Sequence, residues 1–128
     1  MAMRVDRGDE IAAIIVDAAF HVHRKLGPGL LESIYETCLS YEISRRGCRV
    51  ERQVPVPIVY ENLTFDEGFR LDLLVENCII CELKAVEKEN PVWQAQLLSY
   101  MKLTGKHLGL LINFNVPLIK NGIRRFAI

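Results

Sequence analysis

The chain of 128 residues carries no excess charge of either sign: sixteen lysines and arginines balance sixteen aspartates and glutamates. That balance excludes whole-molecule attraction to nucleic acid, so any such binding must come from a local patch or a bound cation. No apolar run approaches the roughly eighteen residues that a membrane span needs. Ile11 to Phe20 is interrupted by Asp17 and lacks the flanks of a secretion signal. Cysteine is sparse: Cys38, Cys48, Cys78 and Cys81 form no dense disulfide framework. Cys78 and Cys81 stand three apart in a run that reads as a strand, so they point to opposite faces and cannot easily share a zinc ion or a disulfide. Buried thiols in a reducing cytoplasm are the expectation. There is no Gly-rich phosphate loop, no serine or cysteine nucleophile arrangement, no repeat and no low-complexity stretch.

What remains is globular composition, half apolar and a quarter charged. The expectation is one domain over residues 1–128, long enough to bury roughly two thirds of its unfolded surface. Ile11, Ile14, Ile15, Ala18, Ala19, Val22 and Leu26 recur at helical spacing, predicting a helix from Asp9 to Lys25. Gly27-Pro28-Gly29 stops it. A second helix is expected from Leu30 to Arg46, with Leu31, Ile34, Tyr35, Cys38 and Leu39 inward and Gly47 as its cap. Val50 to Tyr60 then reads as an edge or irregular strand, marked by Pro55 and Pro57. Phe69 to Val75 and Cys78 to Lys84 read as a hairpin around Glu76-Asn77. Asn90-Pro91 opens a third helix that Gly105 ends, and His107 to Phe114 reads as a buried strand. A short final strand is expected at Arg124 to Ala127. The helix joining two of these strands implies a crossover between parallel neighbours.

Chemistry concentrates in one stretch. Asp72 interrupts Phe69 to Val75, and aspartate is a poor strand former there. Glu82 and Lys84 stand two apart on a strand and share a face, while Leu83 points the other way. Two carboxylates can hold a divalent cation, and a lysine beside them can orient or help deprotonate a water. Geometry imposes a condition. A two-residue turn at Glu76-Asn77 would set Asp72 opposite Cys81 and send Glu82 to the other face. A shared site requires a three-residue loop or a bulge that sets Asp72 opposite Glu82, and that shifted register is predicted.

Gln96 and Tyr100, four apart, are neighbours on one helical face. Gln96 can hydrogen-bond a water or a phosphate oxygen, and Tyr100 can contact substrate or brace the lysine; the plainer alternative is surface and core. Glu32 lies off the centre of the second helix's apolar stripe, where a side chain reaches the rim of a sheet; the plainer alternative is a solvated helix face, with Glu36 more exposed still. His21 and His23 point in nearly opposite directions, and His23 is expected to make a structural hydrogen bond.

Asp72, Glu82-x-Lys84 and Gln96-x-x-x-Tyr100 resemble the PD-(D/E)XK nuclease superfamily, in the RecB-like variant with a Q-x-x-x-Y helix. Gly29-Leu30-Leu31-Glu32-Ser33-Ile34-Tyr35 resembles the signature of the GxxExxY proteins within it. Leu71 stands where the superfamily name has proline. The resemblance implies an α/β fold with a restriction-endonuclease-like core: a mixed four-stranded sheet flanked by helices, in the order α-α-β-β-β-α-β. It implies Mg²⁺ or Mn²⁺ held by Asp72, Glu82, Glu32 and the main-chain carbonyl of Leu83, with Lys84 activating water. The function expected is a metal-dependent nuclease acting on DNA. The alternatives are a nuclease-like module that grips nucleic acid or a protein partner without cutting, and a homodimer in which Val116 to Ile119 covers a partner's sheet.

Overall fold

The computed structural model describes residues 2–128, with side chains described from Arg7 onward. Helix α1 runs Ala2–Leu26, beginning earlier than the apolar period that starts at Ile11. Ile11, Ile15, Ala18, Ala19 and Val22 are all buried on one face. Gly27 and Gly29 adopt φ of 69° and 97°, which side-chain-bearing residues disfavour, and the chain reverses there into α2 at Glu32–Arg45. Leu31 is extended and stands outside that helix as its N-cap. The buried ridge of α2 is Tyr35, Leu39 and Ile43, at intervals of four. Leu31 and Ile34, expected inward, are 72% and 44% exposed because they lie off that ridge.

Five strands follow rather than four. They are β1 (Val50–Tyr60), β2 (Leu63–Val75), β3 (Ile79–Lys84), β4 (Leu108–Asn113) and β5 (Ile123–Ala127). They lie side by side in sequence order, with β1 and β5 at the edges. Only β3 and β4 are parallel, joined by α3 (Pro91–Thr104) as the crossover. The fifth is β5, the short final strand expected at Arg124 to Ala127 and absent from the four-stranded core that the resemblance implies; its Arg124 and Arg125 pair antiparallel with Leu111 and Leu110. Two charged residues in so short an edge strand leave little apolar signal. β2 begins before Phe69, and its early half pairs only with β1, so the two project as an arm beyond the core.

Helices α1 and α2 cover one face of the sheet around Leu73, Val75, Ile79, Cys81, Leu83, Leu110 and Ile112. Helix α3 covers the other, where Leu97 and Met101 meet Leu71, Leu74, Ile80 and Leu111. Gly109 permits that approach, since a Cβ there would lie 2.8 Å from the Met101 sulfur. Asn90 caps α3 by accepting from the Val92 amide, and Gly105 closes it in the left-handed conformation.

The segment after β4 folds back on its own chain. Val116 packs against the core and Ile119 is buried in it, and the buried His23 Nε2 pairs with the Val116 carbonyl at 2.8 Å. These contacts engage Val116 and Ile119 within the chain and leave Pro117 and Leu118 exposed, so the structure lends no support to the expectation that Val116 to Ile119 covers a partner's sheet. All four cysteines are free. No helix among the described residues is long and apolar enough to cross a membrane.

Candidate active site

The register of the β2–β3 hairpin decides the geometry. Glu76 and Asn77 both take left-handed φ, 52° and 51°, and Cys78 joins them in a three-residue loop closed by Val75 opposite Ile79. From there Leu74 meets Ile80 and Leu73 meets Cys81, so the next positions in line are Asp72 and Glu82. This is the shifted register that a shared carboxylate site requires. Beyond Leu73 the carboxylates themselves bridge the strands. The Asp72 amide donates to Glu82 Oε1 at 3.4 Å, and the Leu83 amide donates to Asp72 Oδ2 at 2.8 Å.

Glu82 is 8% exposed, in a strand that is apolar from Ile79 to Leu83 apart from it and that ends on Lys84. Burial, reinforced by the Asp72 charge, pushes its carboxyl pKa up to about 9, against which Lys84 acts only weakly. Lys84 forms no ion pair with either acid among the described residues; its Nζ lies over the Trp93 ring, 5.2 Å from the centroid. Leu83 turns its side chain into the α1–α2 face of the core, as alternation requires.

Glu32 opens the first turn of α2 and is exposed. Its carboxyl is raised above the ordinary range by partial burial and then by the Asp72 charge, so it feels the acidic pair. The three carboxylates nevertheless do not close on a common point. No three histidine, cysteine or acidic side chains among the described residues are arranged to hold an ion by themselves. Tyr100 stacks on Phe69 at 4.1 Å, and its phenol is raised by burial and then by Glu82 and Asp72. Gln96 shares its helix but is exposed and makes no hydrogen bond to the pair.

Glu36 and Gln53 contribute without a signal in the sequence. Glu36, expected to be more exposed than Glu32, is instead buried and accepts from Arg52 Nη2 at 3.1 Å and Gln53 Nε2 at 2.6 Å. Gln53 takes a φ of 50°, breaking the β1 alternation, and also donates to Asp72 Oδ1 at 3.4 Å. It therefore ties the site acid to a second, buried acid.

Tyr35 contributes as well. Its hydroxyl donates to the Gly27 carbonyl at 2.5 Å and accepts from the Leu30 amide at 3.1 Å, holding the turn that presents Glu32. Its ring stacks on Phe114 at 4.5 Å, and the Phe114 amide donates to the Lys84 carbonyl at 2.9 Å. One tyrosine thus links the Glu32 helix end to the lysine strand end.

A family model for the PD-(D/E)XK nuclease superfamily matches residues 9–126, nearly the whole chain. The chain belongs to this superfamily. Its fold, a mixed five-stranded sheet with helices on both faces, is consistent with a PD-(D/E)XK core. Membership points to metal-dependent phosphodiester hydrolysis and to nucleic acid as the binding partner. Neither the curated proteins nor the solved structures contain a significant match to the chain.

Proposed function

We propose that the chain is a nuclease that hydrolyses DNA with Mg²⁺ or Mn²⁺, and that residues 1–128 form one nuclease-like domain of the GxxExxY group. The observation that carries this reading is the pairing of Asp72 with a buried Glu82 that makes no ion pair among the described residues. An all-oxygen donor set with surplus negative charge suits a hard dication, which keeps several waters and asks for few protein ligands. Asp72, Glu82 and the Leu83 carbonyl would hold it, with Glu32 reaching it through water. When bound, a dication supplies positive charge to the scissile phosphate and makes an attacking water more acidic.

The remaining work falls to the chain's own groups. Lys84 Nζ, free of ion pairs with the acids, orients the attacking water by hydrogen bonding and offers charge to the phosphate. Gln96, exposed on α3, is available to a phosphate oxygen, and Tyr100 braces the α3 side of the site. The arginines flanking the fold add little free positive charge. Arg46 pairs with Asp17 and Glu42, Arg49 with Glu51, and Arg125 with Asp9. Attraction to a polyanion would therefore draw on a bound cation together with Lys84 and Arg124, neither of which is ion-paired among the described residues. Reduced thiols fit a cytoplasmic setting.

The test is a panel of labelled DNA and RNA forms incubated with Mg²⁺ or Mn²⁺, beside the Lys84→Ala protein. Metal-dependent cleavage of DNA that disappears in the variant supports the reading. Cleavage that is unchanged by the substitution overturns the mechanism. The competing reading, a module that grips without cutting, draws on the open arrangement of the three acids. It is favoured if calorimetry finds no heat of Mn²⁺ binding that depends on Glu82.

A further inference from the structure

A second recess lies on the same sheet face as the acidic pair. Glu82 pairs with Leu111 across β3 and β4, and Leu111 pairs with Arg124 across β4 and β5. Paired residues share a face, and neighbouring strands lie about 4.8 Å apart. Glu82, Leu111 and Arg124 therefore form a row, with Arg124 about 10 Å from the acid. Over Leu111 sits a cavity of about 210 Å³, walled by Trp93, Gln94, Asn90, Glu89 and Arg124. It is smaller than a typical drug-sized pocket and on the scale of one planar ring system.

Its chemistry is that of a base site. Trp93 offers an aromatic wall, and the same ring carries Lys84 Nζ at 5.2 Å, so the recess adjoins the proposed attack site. Arg124 Nη2 donates to Gln94 Oε1 at 2.9 Å, which fixes the amide and leaves its NH₂ as a donor. The Asn90 oxygen is used in capping α3, leaving that NH₂ free as well. Glu89 adds an acceptor. Donors and an acceptor ringing an aromatic wall over an apolar floor match the edge and face of a nucleobase.

We propose that this cavity binds the unpaired base of the nucleotide next to the scissile phosphate, so that the enzyme acts on single-stranded or frayed nucleic acid. A base inside a duplex presents neither its face nor its pairing edge to such a recess. This inference rests on the nuclease reading, and its test separates the two.

Trp93 is the only tryptophan, so its emission reports on the cavity directly. The Asp72→Asn protein, which should not cut, is titrated with a single-stranded oligodeoxynucleotide, a blunt duplex of that sequence, and an all-abasic strand of equal length. Binding is followed by Trp93 quenching and by anisotropy of labelled strands. The expected result is quenching by the base-bearing single strand alone. Trp93→Ala should weaken that strand's binding about tenfold and leave the abasic strand unaffected. Gln94→Ala, in a half-exposed position, provides a second variant and should weaken the same strand selectively. The proposal is overturned if the abasic strand or the duplex quenches equally, or if both variants weaken all strands alike. If the wild type cuts DNA and those results appear, only the base site is lost. If the wild type cuts nothing with Mn²⁺ and no strand binds, the nuclease reading fails and the base site with it.

Discussion

Glu76 and Glu82 lie on the same hairpin, and the protein treats them in opposite ways. Glu76 stands in the turn before β3, where its carboxylate accepts from the Arg49 amide at 2.5 Å and from Arg7 Nη2 at 2.8 Å. Those bonds hold its carboxyl below the ordinary range. Glu82, near the other end of the strand, is buried beside a like charge and is raised to about 9. Every hydrogen bond that Glu76 makes favours the ion, whereas the surroundings of Glu82 penalise it. A charge that the fold satisfies is part of the structure. One that the fold leaves in deficit is a place for something from outside, and here the deficit fits a dication.

The largest expected effects break the comparison at the Glu82 end. Asp72→Asn or Lys84→Ala should reduce metal-dependent cleavage by about 10²–10³-fold, the usual cost of removing a group that meets charge in the transition state. Initial rates on labelled DNA check this. A loss of less than tenfold in both would mean that the pair is not where the chemistry occurs.

Next comes stability without metal. Because the folded pKa of Glu82 lies above its ordinary 4.5, its contribution is fully present below pH 4.5 and is lost as pH rises through about 9. The metal-free protein should therefore weaken across that window. Glu82→Gln should flatten the slope and stabilise the metal-free fold at neutral pH by about 1–3 kcal/mol. Chelator-treated samples melted at several pH values measure it. Mn²⁺ affinity should rise with pH over the same range, since the proton must leave before the carboxylate can ligate. A flat affinity profile would show that Glu82 is not a ligand.

How much of this could be read from sequence differs by residue type. The apolar periods of α1 and β3 and the proline and glycine stops were legible, because burial and backbone restriction act locally. Asp72 was legible as an aspartate out of place in a strand, and the required register followed from counting faces. Glu36 and Gln53 were not. Their importance comes from Gln53 leaving the ordinary strand conformation and bridging to a helix far along the chain, which no local pattern encodes. The fifth strand was faint for a related reason: Arg124 and Arg125 are held at the edge by partners on α3 and α1. Gln96 was legible as a motif, and it stands exposed on α3 without a hydrogen bond to the acidic pair.

A smaller effect probes the link between the two halves of the site. Tyr35→Phe keeps the stack on Phe114 but removes the hydroxyl that ties Gly27 to Leu30. Losing those bonds should cost stability by about 1 kcal/mol. The turn that presents Glu32 would loosen, and Mn²⁺ affinity should fall by about threefold to tenfold. In a Glu32→Gln background the same substitution should change affinity little, because the group it positions is already gone. Equal losses in both backgrounds would make Tyr35 a packing residue only.

The smallest effect tests the Glu76 end. Its lowered carboxyl contributes stability above about pH 4.5 that is lost as pH falls through the folded value. Glu76→Gln should therefore lower the melting temperature modestly at neutral pH and lose that penalty in acid, the reverse of Glu82→Gln. It should leave Mn²⁺ affinity unchanged, since Glu76 lies at the far end of β3 from the pair. If Glu76→Gln instead shifted metal binding, the hairpin would be transmitting strain along β3. The contrast between a satisfied and an unsatisfied carboxylate would then not be local. Opposite pH slopes for the two variants, with only one touching metal affinity, would place the difference in their immediate neighbours.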